Sequence, residues 1–177
     1  MNRSFSASFI CLLWIALFGC TRAETPQESK SIDIQVMHER THCENAAEMP
    51  AALWIADRAR LKRVFDRMDR RQIGGSAPEW TENFDFKNYG ILFVHMGRQP
   101  TGGYALEYVS GHAHISGKTA TVVLKWITPD PDAMVTQAIT HPCIMLKLPK
   151  TGFTRIEIID QHGRLKAAIE MGEPKAE

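Results

Sequence analysis

His112 and His114, in Gly111-His112-Ala113-His114, are the side chains whose type and spacing come nearest to reactive chemistry. Alternate residues of an extended segment share a face, which would set the two imidazoles about 7 Å apart, a separation at which a pair can hold a metal. A metal site needs further ligands. No Cys, Asp or Glu stands at a recognisable spacing from the pair, so a polar strand edge accounts for it, and no metal or cofactor is expected. HExxH, GxSxG, a Walker-type loop and CxxC are all absent from the sequence. His95 falls inside the apolar run Ile91 to Met96 and reads as a satisfied core histidine or an edge residue. Asp85, Glu107 and Asp160 are scattered carboxylates with no partner that the sequence can assign, which leaves general acid and base catalysis without a pair to perform it. The residue types point away from an enzyme.

One segment has the makings of a recognition loop. In Gly97-Arg98-Gln99-Pro100-Thr101-Gly102-Gly103-Tyr104, Pro100 fixes φ near −65°, while Gly102 and Gly103 admit positive φ without a Cβ penalty. The expectation is a rigid, tightly bent loop between two strands, with backbone N–H groups open to a partner.

The N-terminus predicts export. Arg3, then the apolar run Phe9 to Phe18, then Gly19-Cys20 have the order of a signal peptide over residues 1–19. The apolar run has about half the roughly twenty residues that a membrane-spanning helix requires. Leu17-Phe18-Gly19-Cys20 resembles the bacterial lipobox, which would make Cys20 the lipidated residue. An ordinary leader cut near Ala23 is the alternative. Thr21 after the cysteine implies a cell-envelope protein held by its lipid, at the outer membrane facing the periplasm where the host is diderm. Of the four cysteines, Cys43 and Cys143 then remain. They are a candidate disulfide in an oxidising compartment, or else one buried apolar cysteine and one unpaired thiol. The net charge of +1 gives no electrostatic footprint for nucleic acid.

The elements that must position these groups follow from hydrophobic period. Residues 20–31 are polar, contain Pro26 and read as a flexible tether, leaving 32–177 as a single domain. Ile32, Ile34 and Val36 alternate with polar residues as in a half-buried strand. Pro50 to Met68 places Trp54, Leu61, Val64, Phe65 and Met68 along one stripe and predicts one amphipathic helix, stopped by Gly74, Gly75 and Pro78. From Gly90 onward short apolar runs predict strands at Ile91 to Met96, Tyr104 to Val109, Thr119 to Ile127, Cys143 to Leu148 and Phe153 to Asp160. Leu165 to Met171 can return as a hairpin. The fold class is mainly β with one helix (α+β): an antiparallel β-sandwich or partly open barrel with the helix packed on it.

The order Asp85-Phe86-Lys87, Gly97, Pro100-Thr101-Gly102-Gly103-Tyr104, Pro129, Met134-Val135-Thr136-Gln137 and Thr140-His141-Pro142 resembles the C-terminal domain of the PrcB family of protease-complex lipoprotein subunits, over about Phe84 to Asp160. The resemblance implies a non-catalytic envelope lipoprotein that binds and stabilises, or helps assemble, another exported protein, with a protease as the implied class. Its contacts would be Arg98, Gln99, Pro100, Thr101, Gly102, Gly103, Tyr104, His141 and Pro142. Gln99-Pro100-Thr101-Gly102-Gly103-Tyr104 also looks like the inhibitory loop of chagasin-type cysteine protease inhibitors, which gives a second expectation, an inhibitor acting through the 97–104 loop.

Overall fold

Alternating apolar and polar residues make strands buried on one face, and continuous apolar runs make strands buried on both. This chain uses both kinds. The computed structural model describes residues 29–43, 48–68 and 78–171. The expected leader over 1–19, Cys20, the tether through residue 28 and the Gly74-Gly75 helix stop lie outside the described residues. Within them the chain forms β1 (Ser29–Ser31), β2 (Gln35–Arg40), β3 (Ala51–Ile55), α1 (Arg58–Met68), β4 (Tyr89–His95), β5 (Ala105–Ser116), β6 (Thr119–Ile127), β7 (Cys143–Pro149), β8 (Arg155–Asp160) and β9 (Leu165–Glu170).

The strands build two sheets, one in the order β1-β5-β6-β8-β9 and one in the order β2-β7-β4-β3. They stack as a sandwich. Between them Leu92, Val94, Ile144, Leu146 and Leu148 face Leu106, Val122, Leu124, Ile156 and Ile158, all buried. The second core lies on the outer face of the four-stranded sheet, where Ile91, Met145 and Ile55 meet Leu61, Val64, Phe65 and Met68 of α1. The runs in β4 and β7 are continuous because both of their faces are covered. Each such side chain contributes roughly 1.5–3 kcal/mol by burial.

The sheets are not purely antiparallel, as the sequence had suggested: β6 and β8 run parallel, with Thr119 opposite Arg155 and Leu124 opposite Asp160. A parallel neighbour requires a long crossover. Here the crossover contains β7, which lies in the other sheet.

The expected helix from Pro50 to Met68 is shorter than its stripe. Ala51–Ile55 is instead an edge strand paired with β4, because Ala52 and Trp54 pack into the inter-sheet core while Leu53 and Ile55 face α1. That is a period of two. Trp54 meets Phe153 edge to face and occupies the space over Gly90, where a Cβ would lie 2.8 Å from Trp54 Cε2. The helix begins after Asp57, whose Oδ1 accepts the Arg60 N–H at 2.7 Å as an N-cap.

Three smaller differences share one cause, a neighbouring strand. Ser29–Ser31, at the end of the expected tether, pairs with Ser116, Ile115 and His114. The strand expected from Ile32 begins at Gln35, because Ile32 is still tied to the five-stranded sheet through its N–H on the Ala113 carbonyl at 3.0 Å. His112 and His114 extend the Tyr104 to Val109 run into one strand, irregular between Tyr108 and Ala113.

Candidate functional site

The Gly97 to Tyr104 loop leaves β4 and returns as β5, and the connection between β6 and β7 braces it throughout. Met96 N–H donates to the Pro142 carbonyl at 2.9 Å. Gly97 has φ +78°, and a Cβ there would lie 2.6 Å from the Glu48 carbonyl oxygen, so the turn admits only glycine. Gln99 and Thr140 exchange backbone hydrogen bonds at 2.8 and 3.0 Å. Thr140, itself buried, donates its hydroxyl to the Thr101 carbonyl at 2.8 Å. Gly102 N–H donates to the Thr136 carbonyl at 2.9 Å.

The two glycines of the bend therefore have different roles. Gly103 takes the positive φ, +84°, over Pro129 and Val135, whereas Gly102 is needed for close approach to the Thr136 side chain. The expected row of open N–H groups is corrected in the same way: those of Gln99 and Gly102 are spent on the 129–142 connection. What the loop offers to solvent is side chain. Arg98 and Pro100 are exposed, while Gln99, Thr101 and Tyr104 are half-buried, with Tyr104 against the inter-sheet core. The inhibitor reading draws no support from this loop, whose backbone is tied to the 129–142 connection.

His141 and Pro142 serve as ties. Pro142 is buried. His141 donates its N–H to the Thr41 carbonyl and accepts the Cys43 N–H, both at 2.9 Å, joining the end of β2 to the connection. Beside this bridge Cys43 and Cys143 form a disulfide with Cα atoms 5.9 Å apart, spanning 100 residues. His95 sits on the same sheet face, in register with Cys143. Its Nδ1 is buried without a hydrogen bond among the described residues. Burial, and then the neighbouring His141, push its pKa below the usual histidine value.

Two features were not legible in the sequence. Met134 is fully exposed and Ile139 is 46% exposed, both on the connection that had shown no strand period; apolar residues within a Pro-rich loop were the available signal. The other is a cleft of about 540 Å³ lined by Glu39, Arg40, Thr41, His42, Ala105 and Leu106. Glu39 there has its pKa raised, by burial and then by Glu107. Among the described residues no group of three or more His, Cys, Asp or Glu side chains converges on a metal-sized space.

No curated protein and no solved structure matches the chain. A family model does, the one described as PrcB C-terminal, and it matches residues 91–149. That span runs from β4 to the end of β7 and includes both halves of the braced loop pair. The match supports a PrcB-family C-terminal domain over residues 91–149 of this chain.

Proposed function

We propose that this protein is a non-catalytic subunit that docks another exported protein, a protease in the first instance, through the braced pair formed by the 97–104 loop and the 129–141 connection. The supporting observation is that Met134 and Ile139 turn outward from a segment whose backbone is already hydrogen-bonded to the loop. Apolar groups held outward on a rigid frame bind at low ordering cost, and covering Met134 would gain roughly 1.5–3 kcal/mol, with about half as much from Ile139, which is 46% exposed. The PrcB family supplies the class of partner. In this reading the leader directs export and a lipid on Cys20 keeps the domain at the envelope, which metabolic labelling with palmitate tests. Label lost in Cys20→Ser supports the anchor, and label unchanged in that variant removes it.

Photocrosslinking in cells from Tyr104 and from Met134 tests the docking surface. An adduct containing an exported protease, lost in Met134→Glu, supports the reading. Absence of any adduct from both positions, with the protein folded and at its normal level, overturns it.

A further inference from the structure

The methionines of this chain divide sharply by exposure. Met96, Met68 and Met145 are buried, each within one of the two cores. Met37 and Met171 are half-buried against those cores. Met49, by contrast, is 71% exposed, and Met134 is exposed in full. Among the described residues no other methionine is exposed.

Both exposed side chains belong to segments that touch the 97–104 loop. Met49 comes just before β3, and a Cβ on Gly97 would lie 2.7 Å from its carbonyl carbon. Beside it Arg98 and Glu48 approach to 3.9 Å. Met134 is followed by Val135, which packs over Gly103, and by Thr136, whose carbonyl accepts the Gly102 N–H at 2.9 Å. The backbone after Met134 is thus pinned at two successive residues, while its own side chain has solvent all round it.

Exposure decides what a methionine sulfur does. An accessible thioether is oxidised by peroxides, a buried one is shielded, and the sulfoxide that forms is polar. The sulfur attacks one oxygen of hydrogen peroxide. An S–O bond forms as the O–O bond breaks, the sulfur loses two electrons, and the departing hydroxide takes the proton of the new oxygen to leave as water. A sulfoxide oxygen accepts hydrogen bonds, so covering it with apolar surface carries a desolvation cost that the thioether does not. Ile139, the other outward apolar residue of the connection, has no such chemistry.

We infer that Met134, with Met49 second, is a site of sulfoxide formation by peroxides, and that oxidation of the undocked chain there prevents docking. The inference rests on the docking reading above, in which the bound partner covers Met134 and so shields it. Enzymatic reduction by a dithiol, which becomes a disulfide as the oxygen leaves in water, restores the thioether.

The test treats the full chain with limiting hydrogen peroxide and follows each methionine by peptide mass spectrometry. Met134 and Met49 should convert roughly tenfold faster than Met68, Met96 and Met145. In cells, the Tyr104 adduct should fall roughly tenfold after brief peroxide treatment, as expected for losing the burial of one apolar side chain. It should persist in Met49→Leu/Met134→Leu, whose side chains stay apolar but carry no sulfur. Met134→Gln, polar without oxidant, should weaken the adduct in untreated cells. Conversion of the buried methionines as fast as Met134 would overturn the site. Loss of the adduct from the leucine variant as well, or its survival in wild type with Met134 fully converted, would overturn the effect on docking. An adduct missing before any peroxide is added defeats the docking reading and that effect together; the site stands or falls on the order of conversion, which is read on the chain alone.

Discussion

The hydroxyl of Thr140 donates to the carbonyl of Thr101 at 2.8 Å, across 39 residues of chain, and this bond closes the bend of the loop onto the connection. Thr140 is 3% exposed, so no water replaces a lost partner. Thr140→Val keeps the shape and removes the donor, which should cost about 1–3 kcal/mol for the stranded carbonyl. Denaturant unfolding measures the loss, and hydrogen exchange at the Gln99 amide should accelerate with it. A stability change below a few tenths of a kcal/mol would show that the bond does not hold the loop.

Gly102 and Gly103 should fail differently. Gly102→Ala drives its Cβ into the Thr136 side chain and should cost about 1–3 kcal/mol by overpacking, most of it recovered in Gly102→Ala/Thr136→Ala. Gly103→Ala meets a positive φ, a backbone cost of about 1–2 kcal/mol that Thr136→Ala leaves in place. A double-mutant cycle in which Thr136→Ala rescues both glycine variants equally would refute this division of roles.

The Cys43 to Cys143 bond closes 100 residues, a constraint on the unfolded chain of about 4–5 kcal/mol in the chain-entropy account. Reduction, or Cys43→Ala/Cys143→Ala, should lower the melting temperature markedly. The bond joins residues at the end of β2 and the start of β7, so loss of protection should begin at the His42 and His141 bridge. Identical melting with and without reductant would contradict it.

Asp160 carries the acid sensitivity of the fold. Its carboxylate is buried in the β8 to β9 hairpin and accepts from the N–H groups of His162 and Arg164 at 2.9 and 3.0 Å and from Arg164 Nε at 2.8 Å, with Lys166 Nζ at 3.2 Å. Burial pushes its pKa up, but the Arg164 and His162 N–H groups and the two cationic side chains outweigh this and hold it well below the usual carboxylate range. Because the folded pKa is depressed, the contribution is complete above the unfolded value of about 3.9 and is lost as pH falls below it. Asp160→Asn should destabilise the protein at neutral pH, and the gap from wild type should close as the pH approaches the folded value. A gap independent of pH would exclude this account.

His95 acts at milder acidity. Its pKa is lowered by burial and by His141, so the unfolded chain binds the proton first, and stability should decline as pH falls through about 6.5. His95→Phe should flatten that decline between neutrality and about pH 5. An unaltered pH profile in the variant would assign the decline to other groups.

Hydrophobic period in the sequence determined the β-rich class, the helix stripe Leu61, Val64, Phe65 and Met68, and the full extent of β6, because each depends on residues close in the chain. The order Pro100-Thr101-Gly102-Gly103-Tyr104 marked the loop, since proline and glycine restrict the backbone wherever they occur. Tertiary structure alone decided that Ala51–Ile55 is a strand, because Trp54 finds its space over Gly90, and that β8 runs parallel to β6. It also decided that the loop N–H groups meet Thr136 and Thr140 rather than a partner, and that Glu39 and Leu106 line one cleft. In each of these cases the deciding contact joins residues far apart in sequence, where local pattern carries no information about which surfaces will meet.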